Sequence, residues 1–217
     1  PDDQHRKFAA RYRPHHHGGG DYYDAVKLPD GRMAIAIADV SGKGMPAAFL
    51  MSNFQAHLHA LIEQDVIDLQ VLVRSLNGRV FNSARGERFI TFFFALQDPS
   101  TGMMEYVNCG HNPPLFVPSS GPGVFLGEGC PGLGMLDALP EVGKGSLQVE
   151  QGGTLVCFTD GLVEQENTGG EPYGEHRLQH LVESERMSGV EALNTTIIVD
   201  WERHRGTADP ADDTALL

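Results

Sequence analysis

In the run GRMAIAIADVSG, large apolar residues alternate with alanine, so Met33, Ile35 and Ile37 share one strand face and period two carries Asp39 onto that face. A carboxylate therefore stands at the rim of the core, where the strand runs out. The run TLVCFTDG repeats the arrangement: Val156 and Phe158 share a face with Asp160 by the same count, and Gly161 follows. Its unbroken apolar stretch predicts burial on both faces. Between these strands the periodicity changes. Pro46 fits a first helical turn without losing a hydrogen bond, and Leu50, Phe54, Leu58, Leu61 and Ile62 then recur at helical spacing, which predicts a helix of about 17 residues. Leu69, Leu72, Val73, Leu76 and Val80 predict a second helix. From Phe89 to Glu150, short apolar or alternating runs broken by Gly and Pro (FITFFFAL, GMMEYVN, PLFVP, GVFL, GSLQVE) predict strands. Helical spacing returns near 174–185 and near 190–204, where Val190, Leu193, Ile197 and Trp201 line one face, and a closing strand starts near Asp213.

Strands first and last, with two pairs of helices between them, predict an α+β fold of antiparallel sheets flanked by helices, not regular strand–helix alternation. A four-layer αββα sandwich, two mainly antiparallel sheets between helices, suits the doubly buried strands. The whole chain, 1–217, reads as a single domain. It opens without an initiator methionine and stops on an apolar run, so it reads as a domain excised from a longer regulatory protein.

Composition narrows the function. Hydrophobic residues are 41% and charged residues 21%, which is globular and not disordered composition. No apolar run is long enough for a membrane span. A formal net charge of -13 argues against nucleic acid as the main partner, because phosphate backbones are held by basic surface. Cys109, Cys130 and Cys157 are too few and too scattered for a disulfide framework, which favours a reducing cytoplasm. Cys109 and Cys157 read as buried small hydrophobes.

The acidic excess raises the question of what neutralises converging carboxylates. Asp21 and Asp24 lie in the segment ahead of the first of the two strands, and Asp212 and Asp213 lie in the last segment. Aspartate is also common in turns after strands, so either core-facing residue alone is weak evidence. If four segments bring carboxylates to one rim, hard cations bound through oxygen would offset their repulsion. Magnesium or manganese suits an all-carboxylate site, whereas zinc recruits His or Cys. Two such ions about 3.5 to 4 Å apart hold a bridging water and clamp a phosphoryl group, which points to phosphate ester hydrolysis.

GGDYYD at 19–24, DVSGKGMPAA at 39–48, NCGHNPP at 108–114, FTDGLVE at 158–164, YGEHRL at 173–178 and DDTALL at 212–217 follow one another with fitting gaps. In these six motifs the chain resembles the PPM family of metal-dependent serine/threonine protein phosphatases, in its bacterial SpoIIE-like branch. The resemblance implies an αββα sandwich with two Mn2+ or Mg2+ ions at one end of the sheets. It implies Asp21, Asp39, the backbone carbonyl of Val40, Asp160 and Asp212 as metal ligands, acting in catalysis through metal-bound water. Asp24 is a candidate to orient that water or hold a further ion, and Asp213 to bond nearby backbone. Gly42 lets backbone approach the site, and Lys43 is a candidate to attract a phosphoprotein. Asn108 and His111 lie in a loop whose family counterpart reads Asn-Ala-Gly-His; a histidine there can protonate a leaving serine oxygen, and the competing reading is a hydrogen-bonded turn before Pro113 and Pro114.

For this branch the resemblance implies a phosphorylated STAS-domain anti-sigma-factor antagonist as substrate, direct attack by a metal-bridged hydroxide, and an upstream sensor or receiver domain. The alternative is a phosphatase-like module that binds metal weakly and holds a regulatory partner. A cyclic-dinucleotide synthase is a weaker reading of GGD, since Tyr22 and Tyr23 do not supply its acidic pair. The run His15, His16, His17 departs from the family pattern and has the composition of an adventitious metal binder.

Overall fold

The structure is a computed structural model that describes residues 6–13, 20–63 and 67–217. The histidine run, singled out above, lies outside the described residues. In chain order the elements begin with β1 (Arg11–Arg13), β2 (Tyr22–Lys27), β3 (Met33–Val40), α1 (Met45–Ile62), α2 (Leu69–Ala84), β4 (Ile90–Gln97) and β5 (Met103–Cys109). They continue with β6 (Leu115–Val117), β7 (Val124–Phe125), β8 (Gly129–Cys130), β9 (Gly145–Gln148) and β10 (Thr154–Val156). Last come α3 (Asp160–Val163), α4 (Glu175–Ser184), α5 (Val190–Arg205) and β11 (Thr214–Leu216). The fold is α+β, several sheets with helices, as the hydrophobic pattern predicts.

Two compact units divide the chain. The larger, His17–Pro113 with Leu126–Gln148, is built on a six-stranded sheet in the order β2-β3-β4-β5-β8, with β9 pairing β5. Its long strands pair antiparallel, while β5 and β8 run parallel. The even positions of β3, Ala34, Ala36, Ala38 and Val40, pack into a core with Phe92 and Phe94 of β4 and with Leu50, Phe54, Leu58, Leu72, Leu76 and Val80 of the two helices. The opposite face, with Met33, Ile35, Ile37 and Phe93, is equally buried. Burial of both faces explains why β3 and β4 read as near-continuous apolar runs.

Local chemistry fixes the helix ends. Pro46 opens α1 after Gly44, whose φ of 80° suits only glycine. Asp68 caps α2, accepting from the backbone N–H of Gln70 and Val71 at 2.9 and 3.0 Å, an arrangement worth about 1 kcal/mol.

The second unit contains Pro114–Phe125 and Val149–Leu217 together with the N-terminal segment. A three-stranded sheet, β10-β6-β7, and a two-stranded ribbon, β1-β11, accompany α3, α4 and α5. Its core joins Leu115, Val117, Phe158, Leu162, Leu178, Val182, Ile197 and Trp201. Trp201 is 2% exposed and donates its indole N–H to the Leu162 carbonyl at 3.0 Å, tying α5 to α3. Arg177 of α4 grips Asp200 of α5 with two N–H groups at 2.7 and 2.9 Å, and the Tyr173 hydroxyl donates to the same carboxylate at 3.0 Å.

Four elements were not foreseen. β1, β2 and β8 are short or mixed in polarity, so their pairing comes from neighbours and not from periodicity. The fourth is α3, which changes the account of Asp160. The strand β10 ends at Val156, Phe158 makes only an isolated bridge to Leu216, and Asp160 is the first residue of α3. Strand parity therefore stops short of Asp160; a helical turn, and not a pleat, aims it.

Candidate active site

In the larger unit, Asp39 is the next-to-last residue of β3 and lies directly across from Thr91 of β4. The antiparallel register pairs Tyr22 with Ala38, so one step further brings Asp21 alongside Asp39 and Gly20 alongside Val40. A Cβ built on Gly20 would lie 3.0 Å from Asp39 Oδ1 and 3.1 Å from the Val40 carbonyl oxygen. A carboxylate and a carbonyl oxygen thus border the space that a side chain at Gly20 would fill. These are hard donors of the kind Mg2+ and Mn2+ take. Asp21 and Asp39 are both half-buried.

Asp24 sits elsewhere. It pairs with Ala36 in the ladder, which sends its side chain to the helix-covered face, opposite Asp39. There it accepts from the Tyr22 hydroxyl at 3.0 Å and meets His59 Nε2 of α1 at 2.9 Å. Burial, reinforced by the Asp24 charge, pushes the Tyr22 phenol far above its ordinary range. The trio fastens the edge strand β2 to the last turn of α1.

Past Val40 the chain turns through Ser41, Gly42 and Lys43. Ser41 exchanges hydrogen bonds with Phe89: its N–H donates to the Phe89 carbonyl and its hydroxyl accepts the Phe89 N–H, each at 2.9 Å. Arg88 Nη1 donates to the Ser41 carbonyl at 2.9 Å and lies over Gly42, where any Cβ would collide with the guanidinium and φ is 89°. Glycine at 42 thus avoids backbone strain and leaves room for the Arg88 guanidinium. Lys43 is exposed, so two cations flank this turn.

Asn108 and His111 are both buried. The Asn108 amide donates to the carbonyls of His111 and Leu126 at 3.0 and 3.2 Å, and its Oδ1 accepts the His111 N–H at 2.8 Å. Asn108 is thus a knot holding three backbone groups. His111 reaches further: its Nδ1 lies 2.9 Å from Thr91 Oγ1, on the residue that faces Asp39 across the ladder.

In the second unit, backbone pairing joins Asp160 to the terminal pair. Cys157 and Leu217 exchange both hydrogen bonds at 2.9 Å, the Thr159 N–H donates to the Ala215 carbonyl at 3.1 Å, and the Ala215 N–H returns to Thr159 Oγ1 at 2.9 Å. One step on, Gly161 packs so closely on the Asp213 carbonyl that no Cβ fits. Asp160 is thereby set beside the segment carrying Asp212 and Asp213, and all three are half-buried. The Asp212 carboxylate accepts the Asp213 N–H at 2.8 Å.

Thr91, Arg88, His59 and Thr159 were missed by sequence reading. Thr91 had a signal, the one polar residue within ITFFFAL, and Thr159 had another, a hydroxyl ahead of Asp-Gly. Nothing in the order of residues pairs His59 with Asp24. Among the described residues, no three His, Cys, Asp or Glu side chains form a metal-binding cluster. An ion that keeps most of its water needs only one or two carboxylates, so the oxygen set fits magnesium or manganese better than zinc. No helix among the described residues is long and apolar enough to cross a membrane.

Comparison with known proteins bears on these motifs. The SpoIIE family, Stage II sporulation protein E, matches residues 29–217. The phosphoserine phosphatase RsbU of Bacillus subtilis (strain 168) is 33% identical over 146 residues, which cover 67% of this chain and 43% of that protein. The phosphoserine phosphatase RsbP of the same organism is 25% identical over 201 residues, covering 91% of this chain and 48% of that protein. The chain spans less than half the length of these curated relatives. Among solved structures, the RsbU and RsbW domains of Rv1364c from Mycobacterium tuberculosis match with a TM-score of 0.81 at 25% identity, covering 96% of this chain and 58% of that one. The PP2C phosphatase domain of SpoIIE from Bacillus subtilis, with a fragment of its regulatory domain, matches in fold with a TM-score of 0.78 at 18% identity, covering 95% and 61%. The matched family stretch takes in Asp39, Asp160, Asp212 and nearly every described element, and this chain belongs to the SpoIIE family.

Proposed function

We propose that this chain is a phosphoprotein phosphatase that hydrolyses phosphoserine or phosphothreonine in a partner protein. Asp21, Asp39, the Val40 carbonyl, Asp160 and Asp212 are its ligands for two Mn2+ or Mg2+ ions. The observation that supports the reading is the convergence of Asp39 Oδ1 and the Val40 carbonyl oxygen beside Gly20, where the absence of a side chain lets both come close. Such ions, when bound, supply a nucleophile at neutral pH and neutralise charge on the phosphoryl group. The chain's own residues do the rest. Thr91 and His111 brace the face of the sheet on which Asp39 stands. Lys43 and Arg88 give the turn after Val40 positive charge, which draws in a phosphorylated surface despite the acidic protein. Thr159 holds the start of α3 against β11, so Asp160 and Asp212 keep a fixed spacing.

The substrate that suits the relatives named phosphoserine phosphatases is a phosphorylated STAS-domain anti-sigma-factor antagonist, in the cytoplasm. An upstream sensor or receiver domain regulates the activity; the greater length of the relatives supports this. The test is turnover of p-nitrophenyl phosphate and of a phosphoserine STAS protein with manganese, magnesium or chelator, beside Asp39→Asn and Asp160→Asn. Metal-dependent turnover should vanish in both variants while circular dichroism stays native. Full turnover by either variant removes that aspartate from the ligand set. A folded wild type that is inert with every metal would instead be a module that holds a regulatory partner.

A further inference from the structure

Cys109 closes β5 and Cys130 closes β8, and the two residues are direct partners in the parallel pairing of these strands. Their Sγ atoms lie 3.7 Å apart, and both are free thiols. Directly paired strands hold their chains about 4.8 Å apart, within the span of about 4.4 to 6.8 Å between Cα atoms that a disulfide accepts. Close backbone packing prevents the pair from sliding. A Cβ on Gly129 would collide with the Asn108 carbonyl, and one on Gly110 would lie 3.0 Å from Gly132 N. Further along the chain from β8, α2 holds the stretch 136–140: Arg74 donates to the carbonyls of Leu139 and Pro140 at 3.1 Å each, and the Asn77 amide to those of Leu136 and Asp137 at 3.0 and 3.2 Å.

We propose that Cys109 and Cys130 are a dithiol–disulfide pair, oxidised by a hydroperoxide and reopened by a thiol reductant. This goes beyond the phosphatase reading and does not depend on it. In the first step the Cys130 thiolate attacks one peroxide oxygen, the O–O bond breaks, Cys130 becomes a sulfenic acid, and the other oxygen leaves as an alcohol or water. In the second, the Cys109 sulfur attacks the Cys130 sulfur, the S–S bond forms and the hydroxyl leaves with a proton as water. Two thiols lose two electrons and two protons, and the peroxide gains them.

The roles follow from position. Cys130 is half-buried and open to a small oxidant, while Cys109 is buried behind it. The shared S–H contact and the nearby Arg74 charge draw the Cys130 thiol below its ordinary range, whereas the same contact and burial raise Cys109. Cys157, fully enclosed, is pushed up to about 12 by burial and takes no part. A disulfide here would clamp β8 on β5 beside the Asn108–His111 turn.

The test uses the full chain, reduced, freed of reductant and exposed to stoichiometric hydrogen peroxide. Cleavage after Glu105, Glu128 and Glu141 separates 106–128, with Cys109, from 129–141, with Cys130. The expected result is a fall from three thiols to one, with the two peptides joined until dithiothreitol is added. Cys109→Ser should accumulate a dimedone-reactive sulfenic acid at Cys130, and Cys130→Ser should keep Cys109 reduced. Three thiols surviving in folded protein, a sulfinic acid at Cys130 without the cross-link, a bridge to Cys157 or to a second chain, or Cys109 oxidising at the wild-type rate in Cys130→Ser would each overturn the proposal.

Discussion

The two aspartate-bearing rims are built differently. Asp39 stands at the end of an eight-residue strand hydrogen-bonded on both sides and buried on both faces. Asp160 opens a four-residue helix whose register is set by a three-residue strand near the end of the chain. The first rim inherits the rigidity of a sheet; the second rests on a handful of hydrogen bonds and on Trp201. The lesson is that equivalent chemistry does not imply equivalent support, and local opening free energies should be lower at the second rim.

The comparison can be broken at its weakest support. Trp201→Ala should cost about 3 to 5 kcal/mol by emptying the second core and freeing the Leu162 carbonyl. Urea titration followed at α3 by hydrogen exchange should show Asp160 losing protection before Asp39; equal losses would erase the distinction. Thr159→Val should cost about 2 kcal/mol, because the buried Ala215 N–H loses its acceptor, and Thr91→Val should cost a comparable amount, about 2 kcal/mol, because it takes the hydroxyl from Nδ1 of buried His111. Thermal melts of the two variants check both values. Gly20→Ala acts at the rigid rim, where the sheet does not yield to relieve the contacts with Asp39 and Val40. It should weaken Mn2+ binding by calorimetry at least about tenfold, about 1.4 kcal/mol, and lower the melting temperature as well, because the contacts are not relieved.

The smallest effect tests charge. Hydrogen bonds from Arg177 hold the Asp200 carboxyl below the usual carboxylate range. A lowered folded-state pKa means stability that is present above the unfolded value and lost as pH falls through the folded one. Arg177→Ala should therefore cost about 1 kcal/mol near neutrality, since the half-exposed arginine is screened, and the difference from wild type should disappear once pH has fallen below the lowered Asp200 value. A gap that stayed constant down to that pH would assign the loss to packing.

Legibility in the sequence followed the strength of the local signal. The helices α1, α2, α4 and α5 and the strands β3 to β5 carry clean periodicity and were read close to their observed bounds. The edge strands β1 and β2 were not, because Arg11–Arg13 and Tyr22–Lys27 alternate weakly and are strands only through their partners. Asp39 followed from parity alone. Asp160 came from the motif, and the parity offered for it ends with the strand at Val156.

What the sequence determined by itself were the one-dimensional quantities: residue type, period, and the order and gaps of six motifs. Tertiary structure decided what meets across distance. It turned Asp24 to the helix side beside His59, set Thr91 between Asp39 and His111, laid Arg88 over Gly42 and paired Cys109 with Cys130. The physical reason is that register is a relation between strands. A shift of one residue leaves every local preference intact and reverses every face.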